Sequence, residues 1–323
     1  MATRILLTTT SFQDTPGKHH QMLSDSGFEV VTARGPLTEA QMLDLVKTKG
    51  PFDGFLNGDD AITKTVIDAS LPALKVIAKY GIGLDSIDVK HATAKRLPVL
   101  FTPGVNHTTV AEHAIGLMIA IAKHFWVHLS SVKSGKWKRV TGNELYGKTL
   151  GIIGMGRIGK ETIIRAKAFG MNTIAFDQYW DGAFAWEHKV TRAQQAEQVL
   201  AEADVVSLHM NLTDETRQFI NAQRISLMKP GAVLINTARG GLVHEADIAE
   251  ACKSGRLGGY GTDVLETEPM TAPHPFQGID NILVTPHVGS RTFESVERQA
   301  MRAVLNIVNF LKGGSDFIQA NKF

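Results

Sequence analysis

The stretch that most constrains this chain runs from Lys148 to Asp177, KTLGIIGMGRIGKETIIRAKAFGMNTIAFD. Thr149 to Ile153 has the length and β-branching of a buried parallel strand. Gly154-Met155-Gly156-Arg157-Ile158-Gly159 follows at once, then a helical pattern with Ile158, Ile163, Ala166 and Phe169 on its apolar face. Gly170 closes that helix, and a second strand, Thr173 to Phe176, ends on Asp177. Gly154 makes the tight turn out of the strand, Gly156 lets the backbone approach a pyrophosphate, and Gly159 lets helix and strand pack closely. The helix N-terminus offers free N–H groups and the positive end of its dipole to phosphates. Asp177 lies about 20 residues beyond the glycines, where a carboxylate can accept hydrogen bonds from both ribose hydroxyls. Gln178 and Tyr179 follow it, with no Arg to receive a 2′-phosphate, so NAD is expected over NADP. An ordinary glycine-rich turn would leave the acid at the second strand's end unexplained.

With 323 residues the chain is long for one core and suggests two domains. A net charge of +2 gives no electrostatic reason to expect nucleic acid, and Lys136-Trp137-Lys138-Arg139 reads as a solvated loop. The apolar run Ala114 to Ala122 is too short for a bilayer, so no membrane partner is expected. The single Cys252 cannot form an internal disulfide, and no signal-peptide core follows Met1, which together suggest a cytoplasmic protein. No His, Cys and Asp cluster has metal-ligand spacing, so no metal is expected.

The first hundred residues alternate strands (4–8, 28–32, 53–57, 75–79, 98–102) with helices (19–26, 38–47, 63–69, 86–95), the pattern of a parallel α/β unit. Gly81-Ile82-Gly83 is a second Gly-x-Gly, but Ser86 replaces the third glycine and Asp85 brings negative charge. It is rejected as a dinucleotide site, although bare N–H groups there could hold a smaller anion such as a carboxylate. Pro103-Gly104 reads as a boundary. Thr109 to Ser130 reads as one long helix, with Glu112 and His113 as capping or packing groups. After Asp177 come strands at 204–208, 232–236, 259–262 and 282–284, and helices at 193–201, 226–228, 245–254 and 292–311.

Ligands of open parallel sheets bind beyond the carboxyl ends of the strands. Asp177, Arg239, Asp263 and His287 all lie just past strand ends, with Glu268 in the loop between the last two. Arg offers a bidentate fork to a carboxylate. His can supply a proton near neutral pH to a carbonyl oxygen as hydride reaches carbon, and a carboxylate such as Glu268 would hold the imidazolium. These types suit hydride transfer to a 2-keto acid.

The motifs KVIAKYGIGLDSID, VAEH, GKTLGIIGMGRIG, KPGAVLINTARGGLV, GTDVLETEP and TPHVGS together resemble those of the D-isomer-specific 2-hydroxyacid dehydrogenases, from about Leu74 onward. That family includes phosphoglycerate dehydrogenases and glyoxylate/hydroxypyruvate reductases. The resemblance implies a Rossmann-type domain, residues 104–289, inserted into a smaller flavodoxin-like α/β substrate domain formed by 1–103 and 290–323. It implies that Arg239 anchors substrate and that His287, paired with Glu268, is the acid/base. Cofactor contacts would come from Gly154, Met155, Gly156, Arg157, Ile158, Gly159 and Asp177, and from Ile82, Met210, Thr237, Ala238, Asp263 and Gly289. Gly81, Gly83 and Asn57 would meet substrate, and a homodimer would use the long helix and Trp137. Phosphoglycerate dehydrogenases usually carry Arg-Ser after the third strand; Asn57-Gly58-Asp59-Asp60 stands here, and two acids would repel a phosphate. His209-Met210-Asn211-Leu212-Thr213 likewise replaces a His-x-Pro-Leu-Thr pattern, and no regulatory domain is expected beyond Phe323. The alternative reading is an NAD(H)-sensing, corepressor-like interaction protein of the same fold.

Overall fold

The computed structural model describes residues 2–323, and the chain divides into two compact units. One runs to Asn106 and resumes at Arg291–Phe323; the other is His107–Ser290. The first contains β1 (Arg4–Leu7), α1 (Thr10–Asp14), α2 (Lys18–Ser24), β2 (Glu29–Thr32), α3 (Glu39–Lys49), β3 (Gly54–Asn57), α4 (Lys64–Ser70), β4 (Val76–Lys79), α5 (Val89–Ala94) and β5 (Val99–Leu100). The strands form one parallel sheet in the order β2-β1-β3-β4-β5, the flavodoxin-like order, whose direction of winding reverses between β1 and β3. Successive strand residues face opposite sides. Ile5 and Leu7 therefore meet Ala300, Val304 and Ile307 of the closing helix, while Leu6 meets Met42, Val66 and Ile67 on the other face.

The second unit contains α6 (His107–Ala122), α7 (Phe125–Lys133), β6 (Thr149–Ile153), α8 (Arg157–Ala168), β7 (Asn172–Phe176), α9 (Gly182–Glu187), β8 (Thr191–Arg192), α10 (Ala196–Glu202), β9 (Val205–Leu208), α11 (Ala222–Leu227), β10 (Ala232–Asn236), α12 (Glu245–Lys253), β11 (Leu257–Thr262) and β12 (Ile282–Val284). α13 (Phe293–Lys312) is the closing helix of the first unit. The strand order is β12-β11-β10-β9-β6-β7-β8, all parallel. Winding reverses at β6, so a crevice opens at the carboxyl ends of β6 and β9. α6 covers β11 through Leu117 and Ile121, which fill the space left by Gly259 and Gly261.

Three expectations are corrected. The long helix is two helices, bent by 68° where His124 takes a left-handed conformation (φ 50). The last turn of α6 is closed from outside, because Asn143 N donates to Ala122 O at 2.7 Å. Apolar periodicity continues on both sides of the bend and hides it. Among the described residues no single helix is long and apolar enough to cross a membrane. Phe169 caps the end of α8 and is exposed; Thr162 takes the buried place, its hydroxyl donating to Ile158 O at 2.9 Å. Finally α1, α9 and β8 add elements not expected from pattern, each too short to repeat a period.

Candidate active site

The glycine turn after β6 has the three-part geometry expected of it. Gly154 has φ 99, and a Cβ there would press on the backbone of His209 and Met210 at 2.6–2.7 Å. A Cβ on Gly159 would overlap Gly154 O, so helix and turn touch directly. Gly156 faces open space, and it precedes α8 without a side-chain cap. The first-turn N–H groups of Arg157 and Ile158 thus lack an intrahelical partner and suit an anion. Asp177 leaves β7 and accepts from Met155 N at 2.5 Å and Tyr179 N at 2.7 Å, which sets its carboxylate beside the turn.

The same sheet edge carries the other groups. β9 leads into His209 and Met210. His209 Nε2 lies 2.9 Å from Ser207 Oγ, and burial pushes its imidazole down to about 3. It is therefore neutral near pH 7 and no proton donor. β10 leads into Thr237-Ala238-Arg239. Asn236, fully buried, shapes that turn: its Nδ2 donates to Arg239 O at 2.8 Å and its Oδ1 accepts from Ala238 N at 3.1 Å. Thr237 Oγ1 is buried with no protein partner among the described residues. Arg239 Nη1 donates to Ala238 O at 2.6 Å.

Gly240 joins two parts of the site. A Cβ on it would overlap the backbone of Leu265 and Glu266, so the Arg239 turn lies flat against the loop leading to Glu268. Glu268 Oε1 accepts from Leu265 N at 2.9 Å, and its Oε2 meets His287 Nδ1 at 2.8 Å. The carboxylate thus engages the Nδ1 side of the ring. His287 has a left-handed backbone (φ 52), a conformation costing a residue with a Cβ about 1–2 kcal/mol. Asp263, beyond β11 and 3% exposed, holds that conformation from below: its Oδ1 accepts from Val288 N at 2.9 Å and its Oδ2 from Gly289 N at 2.6 Å.

In the first unit, Asn57 ends β3 beside the reversal of winding, and its Oδ1 is buried without a protein partner among the described residues. One reading there changes. Gly81 N is not bare, because it donates to Thr102 Oγ1 at 2.9 Å; Gly81 itself is left-handed (φ 130), Ile82 is partly exposed and Gly83 follows in the same loop. Asp59 is exposed and Asp60 buried, and both have partners. Asp60 is fully buried and accepts from Thr8 Oγ1, Leu37 N and Gly58 N, while Asp59 lies 2.5 Å from the Nζ of buried Lys79. Sequence reasoning passed over Asn236, Lys79, Thr285 and the placing of His113. No local motif marks Lys79, Thr285 or His113, since their partners are remote in the chain, and the Asn236 side chain bonds within its own turn and to Tyr260.

A family model described as "D-isomer specific 2-hydroxyacid dehydrogenase, NAD binding domain" matches residues 115–289. A D-3-phosphoglycerate dehydrogenase of Methanocaldococcus jannaschii is 38% identical over 88% of this chain, which spans 54% of that relative. A hydroxypyruvate reductase of Thermotoga maritima is 42% identical over 76% of this chain and 80% of its own length. The D-lactate dehydrogenase of Escherichia coli has a similar structure, with TM-score 0.86 and 28% identity over 99% of this chain and 100% of that one.

Proposed function

Because the chain belongs to the D-isomer-specific 2-hydroxyacid dehydrogenases, a family of NAD-dependent oxidoreductases, we propose that it reduces a small 2-keto acid to the D-2-hydroxy acid, with Arg239, His287 and Glu268 as the working groups. The observation that carries this reading is the His287–Glu268 hydrogen bond at the sheet edge that also bears the glycine turn and Arg239. When bound, NADH supplies the hydride. Arg239 holds the keto acid's carboxylate in a planar fork. As C2 gains the hydride, the carbonyl π pair moves to oxygen, which takes the proton from His287 Nε2. Glu268 keeps the ring oriented through Nδ1. In the first unit, Asn57, Gly81 and Gly83 are the proposed substrate-side groups and Ile82 a cofactor contact. The test is a panel of glyoxylate, hydroxypyruvate, pyruvate, branched and aromatic keto acids and phosphohydroxypyruvate, each followed by loss of NADH absorbance. No turnover of any of them would remove the proposal. The relatives' names are those of reductases and dehydrogenases, so the sensing reading gains no support.

We propose NAD over NADP on the strength of Asp177, whose carboxylate would face a 2′-phosphate with like charge. Asp177→Ala is expected to weaken NADH binding by at least about 10-fold, the low end for a single hydrogen bond to a charged group, and to narrow the gap to NADPH. Calorimetric titration of both cofactors measures it; an unchanged NADH Kd would clear Asp177 of the role.

We further propose a cytoplasmic homodimer that binds neither nucleic acid nor membrane. α7 exposes Phe125, Leu129 and Val132 at helical spacing, with Trp137 beyond it 76% exposed, an apolar patch of the kind that marks an interface. Sedimentation velocity should show a dimer at micromolar concentration, shifted to monomer by Leu129→Asp; a monomeric wild type excludes it. Cell fractionation and binding assays with duplex DNA and anionic vesicles test the remaining parts.

A further inference from the structure

The backbone conformation of His287 depends on a chain of contacts that ends on α6. His287 N donates to Asp263 O and Thr285 O, both at 2.9 Å, and the next two N–H groups go to the Asp263 carboxylate. Thr285 Oγ1 lies 2.6 Å from Asp263 Oδ1. Thr285 has a single hydroxyl proton, and it goes to Asp263 Oδ1, much the nearer of its two acceptors, with Thr262 O at 3.4 Å. Thr285 Oγ1 can then only accept from His113 Nε2, 2.8 Å away, which fixes the Nε2–H tautomer. That nitrogen also lies 3.5 Å from Asp263 Oδ1. His113 therefore orients the hydroxyl and buttresses the carboxylate, and that carboxylate accepts from two consecutive N–H groups, those of Val288 and Gly289. It stands on a helix well packed against β10 and β11, a rigid support.

We propose that His113 is a positioning residue for the acid/base: acting through Thr285 and Asp263, it holds the His287 loop in its left-handed form without touching the reacting atoms. This rests on the proposed role of His287. The test compares His113→Leu, which removes the donor, with His113→Gln, which keeps an N–H at similar reach. Amide hydrogen exchange of residues 285–290 in the free protein reads the loop directly. Exchange there is expected to quicken about 10-fold in His113→Leu and to stay near wild type in His113→Gln. In turnover with NADH and the fastest keto acid of the panel, His113→Leu should lose about 10- to 100-fold in kcat, with NADH affinity within about 2-fold, and His113→Gln should recover most of it. Unchanged exchange in His113→Leu, or equal losses in both variants, overturns the proposal. Should His113→Leu not fold, Thr285→Val carries the same test: the same gain in exchange supports the role and wild-type exchange overturns it. A His287→Gln variant with full turnover would instead remove the acid/base reading while leaving the exchange result standing, so the two failures differ.

Discussion

Replacing His287 with Gln is expected to lower kcat by about 10²- to 10⁴-fold, the span a positioned acid–base group contributes. Gln keeps a donor near the Glu268 carboxylate, so the loop and its hydrogen bond at Nδ1 have a close substitute. It cannot carry the extra proton that the carbonyl oxygen needs as negative charge develops there. The loss should fall on kcat, while NADH affinity stays within about 3-fold, because the glycine turn and Asp177 are untouched. His209 cannot substitute, since burial keeps its ring neutral and its Nε2 is engaged with Ser207. Steady-state kinetics with a fluorescence titration of NADH separates the two effects. Turnover within a few fold of wild type would take His287 out of the reaction.

Arg239→Ala should lower kcat/KM by about 10²- to 10⁴-fold, because two charge-assisted hydrogen bonds at roughly 1.5–3 kcal/mol each disappear. Arg239 is half-buried and contributes no side chain to a hydrophobic cluster, so the variant should fold. Its turn is kept by Asn236 and by the close fit of Gly240 against Leu265, neither of which needs the guanidinium. Arg239→Lys should recover about 10-fold at most, as it restores charge without the planar fork. Rate measurements on a keto acid and on its neutral methyl ester sharpen the test: the ester should lose little in Arg239→Ala. Equal losses on both substrates would contradict a carboxylate-anchoring role.

How much could be read beforehand follows from how each feature is encoded. The strand–glycine–helix–strand–Asp177 unit is local in the chain, and every step of it carries a residue-type signature. Arg239, Glu268 and His287 were legible because parallel topology sends strand ends to one edge. The support behind them was not. His113 and Thr285 are 172 positions apart, and an apolar helix gives no sign that one of its histidines faces a buried carboxylate. The break at His124 escaped notice for a related reason: what ends α6 is the return of Gly142-Asn143, remote from the helix's own sequence. The burial of Asp60 has no local signature either, because its three hydrogen-bond donors come from Thr8, Leu37 and Gly58, two of them far away in the chain.

The central claim is direct transfer of hydride from the nicotinamide to C2 of a keto acid, and isotope tracing tests it most directly. NADH deuterated at the transferring position of C4 is incubated with the protein and pyruvate, or with whichever panel keto acid it reduces fastest, and the product is examined by mass and by chiral separation. The expected product is the D-hydroxy acid with one deuterium retained on C2. Deuterium lost to solvent, an L product, or NADH unconsumed beside every keto acid would contradict it.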